Sequence, residues 1–495
     1  MDSEPDTILF VALDKFPDPM AESIGQFQVV DSGGEFHSPQ QTGVLRFSGN
    51  RASLEVSPGF TPSVKWTEQP NGGWVGSPND SEPARFSVLG SLAVNPSAVT
   101  LWGVRTTHRR SLGFAMPDEE APGNQEMRTD WCLVGDHIPD EAQRFSEIQA
   151  EVTNLHDWAG IPTTKHIIPA KGRGPRTFSV ELPDAPQASL IRPPGQVRLK
   201  PSATISPPAS DGFKVTTNTA AVFNIDGGLV LTDALSQVAT PIASLMTLLS
   251  GAESSVRRLG LAEGDVRVNV LGLQVHSEAP RSSGELFLYR RDVGDEFLPR
   301  WLDLAPRVSP VPQILAAAWS GELATVETEA LTLATAAEML HRRLYPNAKR
   351  FDEEQVGQAV EALRNSEVGE PVKTSLEDAL RTWWADKSYP QRLREIAEPV
   401  AKAVPSAVGR ISRWKEAVRA QRVAGAHGLG EEESGHTADI LDVHALNQSL
   451  RWVLTFRLLL EAGVAPEQLD AAAQRSERYE TAVRSWNDQL PYIFG

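Results

Sequence analysis

Near residue 310 the hydrophobic pattern of this chain changes period, and that change constrains the fold more than any other feature. Upstream, apolar residues alternate with polar ones in short runs cut by turn residues. Examples are 42–59 "TGVLRFSGNRASLEVSPG", where "SGN" separates two alternating runs, and 97–104 "SAVTLWGV". A period of two turns one face of a strand into a core. Downstream, 313–345 "QILAAAWSGELATVETEALTLATAAEMLHRRLY" carries Ala, Leu and Glu at helical spacing and stops before Pro346. Further helices are predicted at 353–365, 375–385, 390–403, 405–425, 438–462 and 466–488. The expected fold class is multidomain α+β, with a β-rich, sandwich-like N-terminal module followed by an all-α bundle.

The 495 residues exceed what one hydrophobic core usually serves. The division expected is 1–305 and 306–495, with an internal boundary near the Pro- and Ser-rich stretch 192–212, read as a loop. Between these landmarks, 213–224 "FKVTTNTAAVFN" reads as a strand, and 265–277 "DVRVNVLGLQVHS" with 284–291 "GELFLYRR" as a strand pair. The uncharged run 234–252 "ALSQVATPIASLMTLLSGA" carries Ser, Thr, Gln and Pro and reads as a buried amphipathic helix, not a membrane span.

A net charge of −17 argues against general attraction to nucleic acid or anionic lipid, so a polyanion must be held by a local basic patch. The single cysteine, Cys132, forms neither an internal disulfide nor a multi-thiolate metal site. The first residues, "MDSEPDTILF", lack the basic and apolar regions of a signal peptide, and a cytoplasmic location is expected.

Several chemistries find no support. The stretch 170–176 "AKGRGPR" lacks both P-loop spacing and GxGxxG, and 428–435 "GLGEEESG" sets three glutamates where phosphates would lie. His436, Asp439 and His444 lie close in sequence, but there is no HExxH and no second thiol, so no metal or cofactor is expected. No GxSxG elbow is present. Trp66, Trp74, Trp102 and Trp131 could line a groove for sugar or peptide, but tryptophans in β modules usually belong to the core, and no paired carboxylates accompany them.

One local reversal of sign remains, in 405–428 "PSAVGRISRWKEAVRAQRVAGAHG". Arg410, Arg413, Lys415, Arg419 and Arg422 face only Glu416 there. Lys415, Arg419 and Arg422 stand at i, i+4 and i+7, on one helix face, while Trp414, Ala417 and Val418 can turn to the bundle. Read plainly, these are cations near a helix C-terminus that Gly425 and Gly428 bring to an end.

Arg422, four intervening residues and His427 also resemble the Arg-x4-6-His signature of HEPN domains, helical bundles found in many metal-independent ribonucleases. The wider layout is similar to ApeA-type anti-phage proteins, which join a β-rich N-terminal domain to a C-terminal HEPN domain. The segments "IGQFQV", "TGVLRFSGNRASLEV", "AVTLWGV", "ATPIASLMTLLSG" and "AEMLHRRLYP" carry that likeness. The resemblance implies a metal-independent endoribonuclease of abortive infection, controlled by the N-terminal domain and a phage-derived trigger there.

It further implies His427 as general acid or base and Arg422 as the phosphate-stabilising group, with Arg419 and Lys415 positioning RNA. Glu338 and His341, at i and i+3, could supply a second layer or a second acid. The family's motif usually has Asn directly after Arg, whereas here Val423 stands there, which removes a polar orienting contact. On an ideal helix, residues five apart lie about 7.5 Å along and about 140° around the axis, so Arg422 and His427 share a face only if the helix ends near Gly425. A homodimer through the helical module, pairing two such helix ends, is therefore expected. The competing reading is a HEPN-like module that binds RNA or protein without catalysis.

Overall fold

The computed structural model describes residues 22–495 except 32–33, 49–50, 61–63, 73, 79–84, 94–96, 112–122, 168–176, 181, 206–214, 273–274, 276–284, 324 and 428–439. The glycine-containing stretches at 170–176 and 428–435, and His436 and Asp439, lie outside the described residues.

The expected β-rich module takes the form of one 13-stranded sheet that closes on itself at one end. The hairpin Gln41–Ser48/Arg51–Val56 forms as its alternating pattern requires, with Leu45 opposite Leu54. The long strand Ala98–Ser111 makes the closure. Its first half pairs with Trp131–Gly135 and its second half with Gly123–Thr129. Between the halves Gly103 adopts φ +65°, with Asp130 so near that a Cβ would lie 2.6 Å from its carboxylate.

Inside the ring Phe27, Leu45, Leu54, Val56, Val88, Leu101, Val104, Met127 and Cys132 form a core of their own. Burial pushes the Cys132 thiol well above its ordinary value.

Beyond the ring the sheet opens and joins a second, larger core that runs into the helical half without interruption. The stretch expected to be a loop near 192–212 contributes Gly195–Ile205, a strand paired along its length with Val215–Leu229. Alternation at Val197 and Leu199, both buried, outweighs the flanking prolines. "GELFLYRR" is not a strand. Leu286, Phe287 and Leu288 are buried, the Phe287 amide donates to the Leu249 carbonyl, and a short helix follows at Arg290–Val293, so Val266–Gly272 pairs with Val256–Glu263 instead. A short apolar run suits either a strand or a buried connector, and packing decided.

Helix α1 (Thr240–Ser250) is buried on all sides from Pro241 to Ser250, so it is a core rod and not an amphipathic helix. A π turn, Leu235–Ala239, precedes it where Pro241 has no N–H to donate. Helices α2 (Phe297–Arg307) and α3 (Val311–Ser320) continue the same core.

The long helix expected at 313–345 is two, because Gly321 takes φ +77° and ends α3 before α4 (Val326–Leu344) starts on its Thr325 cap. Then come α5 (Glu353–Arg364), α6 (Glu370–Ala379), α7 (Tyr389–Ala403), α8 (Ile411–His427) and α9 (Ile440–Glu461). The last expected helix is also two, α10 (Pro466–Arg475) and α11 (Glu477–Gln489), divided at Ser476, whose Oγ accepts from the Tyr479 amide. Helices α4, α7, α8 and α9 pack on one another as the bundle that carries the site.

Candidate active site

Helix α8 starts after Gly409, at φ +60°, so 405–407 is a separate 3-10 turn. Trp414 and Val418, one turn apart, are buried, and the Trp414 indole donates to Ser449 Oγ of α9 at 2.9 Å. One turn on, the Gln421 side chain donates to Asn447 Oδ1 at 2.8 Å, and Asn447 Nδ2 donates to the Val326 carbonyl at the start of α4. These contacts fix the rotation of α8 and so decide where its cations point.

Each basic side chain of that stretch has a partner. Arg413 donates to the Tyr492 carbonyl at 2.7 Å and Arg410 to the same oxygen at 3.3 Å, tying the chain's last turn to α8. Arg419 pairs with Glu416 at 2.7 Å, and Lys415 lies 4.0 Å from the same carboxylate.

Arg422 turns inward instead. Its Nη2 lies 2.8 Å from Glu338 Oε2 of α4, and its guanidinium sits 4.3 Å above the Tyr389 ring of α7. Three helices thus converge on one guanidinium. The Tyr389 hydroxyl donates to the Ala334 carbonyl at 3.1 Å, and burial pushes its phenol up.

His341, one turn along α4 from Glu338, is fully enclosed. Its Nε2 lies 2.7 Å from Glu395 Oε2 and its Nδ1 is 3.4 Å from Arg392. Burial holds the imidazole below its usual value against the opposing pull of Glu395. Burial would lift the Glu395 carboxyl, but hydrogen bonds from His341 and Lys387 outweigh it and keep it low. Neutral His341 therefore donates through Nε2–H and accepts at Nδ1, a bracing role between α4 and α7.

His427 is the final residue of α8, and its side chain lies outside the described residues. The helix runs through Gly425 without breaking, contrary to the condition under which Arg422 and His427 of one chain would share a face. A lone helix-interior glycine costs about 1 kcal/mol relative to alanine, too little to end a helix by itself.

The structure thus brings Arg422 and Glu338 into contact and places His341 one turn away, while Lys415 and Arg419 pair locally on α8. Tyr389, Arg392 and Glu395 are absent from the sequence reading. The Ser388-x-x-Gln391 capping box marks the start of their helix, but nothing local separates Tyr389 from a core aromatic. Among the tryptophans, Trp102 is buried with its indole donating to the Ile138 carbonyl, Trp131 packs on the larger core and Trp74 is exposed; the side chain of Trp66 is outside the described residues. His444 contacts Gln448, and among the described residues no group of three metal-ligating side chains converges.

Comparison with known families fits this geometry. The ApeA N-terminal domain 1 family matches residues 22–301, more than half of the chain, and the Apea-like HEPN family matches residues 331–468. The chain belongs to the ApeA family. No curated protein and no solved structure matches it. The ApeA N-terminal domain covers the ring, the open sheet, α1 and the first half of α2. The HEPN match takes in α4 from its second turn onward and continues through α9, so Glu338, Tyr389, Arg422 and His427 all fall inside it. No helix among the described residues is long and apolar enough to cross a membrane.

Proposed function

We propose that this ApeA-family chain is a metal-independent endoribonuclease of anti-phage defence, acting in the cytoplasm and restrained by its N-terminal domain until a phage-derived trigger arrives. The observation that carries this reading is the presentation of Arg422 by an Apea-like HEPN bundle, on a helix that ends at His427, with Glu338 and Tyr389 fixing its guanidinium. Residues 1–305 serve as sensor and 306–495 as effector.

The ribose 2′-oxygen forms the new bond to the adjacent phosphorus while the bond to the 5′-oxygen breaks, leaving a 2′,3′-cyclic phosphate. His427 takes the 2′-OH proton or supplies one to the departing 5′-oxygen, and Arg422 neutralises charge gathering on the phosphoryl oxygens. The substrate brings its own nucleophile.

Because α8 is unbroken, Arg422 of one subunit works with His427 of another. Exposed apolar side chains support a homodimer at this end of the bundle: Val423 beside Arg422, and Ile440 and Leu441 at the start of α9.

The test uses purified full-length wild type and His427→Ala, matched by circular dichroism and mass in solution, on labelled RNA with EDTA and extract from infected cells. Wild type is expected to yield fragments ending in 2′,3′-cyclic phosphate and His427→Ala none. Equal cutting by both would overturn the catalytic assignment. RNA binding without cutting by the wild type would favour the non-catalytic module that Val423 suggests.

A further inference from the structure

We infer that single-stranded RNA docks along a strip that starts at Arg422 and follows the C-terminal end of α4 to the exposed indole of Trp383, an inference that rests on RNA being the substrate. The strip is a continuous ladder of ion pairs. Glu338 holds Arg422 at 2.8 Å and Arg342 at 3.1 Å; Arg342 lies 3.9 Å from Asp386, which Lys349 meets at 2.6 Å. Lys349 and Asp386 also form a backbone bridge.

The cations stand outward and the carboxylates are recessed. The Arg342 and Lys349 side chains are 54% and 53% exposed, against 20% and 26% for Glu338 and Asp386. Arg343 and Arg350 add two exposed cations beside them. Two recessed carboxylates thus accompany four exposed cations, with the inward-turned Arg422 at the start of the strip, in a chain of net charge −17. Cations at a helix C-terminus are ordinary. Here they continue past the helix onto 349–350, where that explanation no longer applies.

Trp383 supplies the second half of the argument. It is 67% exposed, and it lies two residues before Ala385, whose carbonyl accepts from the Arg350 amide at 2.7 Å. Trp384, its neighbour, is instead stacked on Phe351 at 4.3 Å, which fixes this segment against the end of the strip. A row of cations fits a phosphate backbone, and an open indole offers a stacking surface to an unpaired base that a duplex keeps inside its own stack.

The experiment measures binding of a labelled single-stranded RNA, and of the same sequence as a duplex, by fluorescence anisotropy over a range of salt. The full chain carries His427→Ala so that bound RNA survives, and it is compared with Arg343→Glu/Lys349→Glu and with Trp383→Ala added to that background. Melting temperature and mass in solution serve as folding controls.

The charge-reversal pair is expected to weaken single-strand binding at least tenfold at low salt and to flatten its salt dependence. Trp383→Ala is expected to weaken single-strand binding about fivefold or more, leaving the salt dependence and duplex binding unchanged. Unchanged binding in both variants, or a Trp383→Ala protein altered only in its mass in solution, overturns the strip. Cleavage by the wild type alongside such results leaves the nuclease reading standing. Strip-dependent binding by a wild type that cuts nothing supports the strip and removes the nuclease.

Discussion

Arg422→Ala is expected to lower RNA cleavage by about 100- to 1,000-fold, the usual cost of removing one preorganised donor from a charge-stabilising site. The fold loses much less. The residue contributes one partly exposed ion pair and one ring contact, together worth about 1–2 kcal/mol. Glu338 keeps Arg342 as a partner after the substitution, so no carboxylate is stranded. Arg422→Lys separates charge from shape: it restores the cation but not the planar group that lies on Tyr389 and can grip a phosphate through two donors. It should recover only a small part of the lost rate. Single-turnover cleavage beside thermal melts reads both quantities, and an Arg422→Ala protein that cuts at the wild-type rate would remove Arg422 from the mechanism.

The second large effect is on stability, at Arg478 of α11. This side chain crosses from the helical half into the last turn of α1, where its Nη2 donates to the carbonyls of Leu249 and Leu248 at 3.1 and 3.4 Å. Its guanidinium lies against the touching rings of Trp319 and Trp452, 4.7 and 5.0 Å from their centres, and Nη1 is closed off from solvent without a hydrogen-bond partner. Burial draws its pKa down to about 10, which leaves it cationic at neutral pH. The helix C-terminus, the two indole rings and the two carbonyls offset part of the cost of burying this cation, which the lowered pKa reports, and the packing of its long side chain adds to them.

Arg478→Ala is expected to lose about 3 kcal/mol, from the emptied space and from carbonyls left without a donor. Arg478→Met, which fills much of the space without charge, should recover only the packing share. Because one core runs without interruption from α1 into the helical half, calorimetry should show this loss as a lower melting temperature of that shared core. A Met variant as stable as the wild type would mean that the charge contributes nothing.

The two periods near residue 310 were legible because each is imposed locally, strand by strand and turn by turn. What sequence could not reveal is how elements meet. Closure of the ring depends on the segment 123–135, which follows Ala98–Ser111 but exchanges its other neighbour at Asp130, opposite Gly103, from Arg51–Val56 to Val266–Gly272, and a glycine inside an alternating run looks the same whether it bends a strand or not. "GELFLYRR" has a strand's composition, and only its burial beneath α1 makes it a connector. At the site, Arg422 and Glu338 stand 84 positions apart on different helices, so their contact is tertiary information. Tyr389 is further out of reach, since its ring serves the core and the guanidinium at once.

The separate core of the ring gives the protein a chemical clock. Cys132 is the chain's single thiol and is 0% exposed within that core, so an alkylating reagent can reach it only while the ring is open. In the native protein its labelling rate should be far below that of a free thiol and should rise to match it in denaturant. Anything that engages the N-terminal domain by loosening the ring will accelerate the reaction, and anything that clamps it will slow it. One sulfur atom can thus time the first event of the proposed activation, while RNA cleavage at the proposed site, which packs on a different core, reports the last.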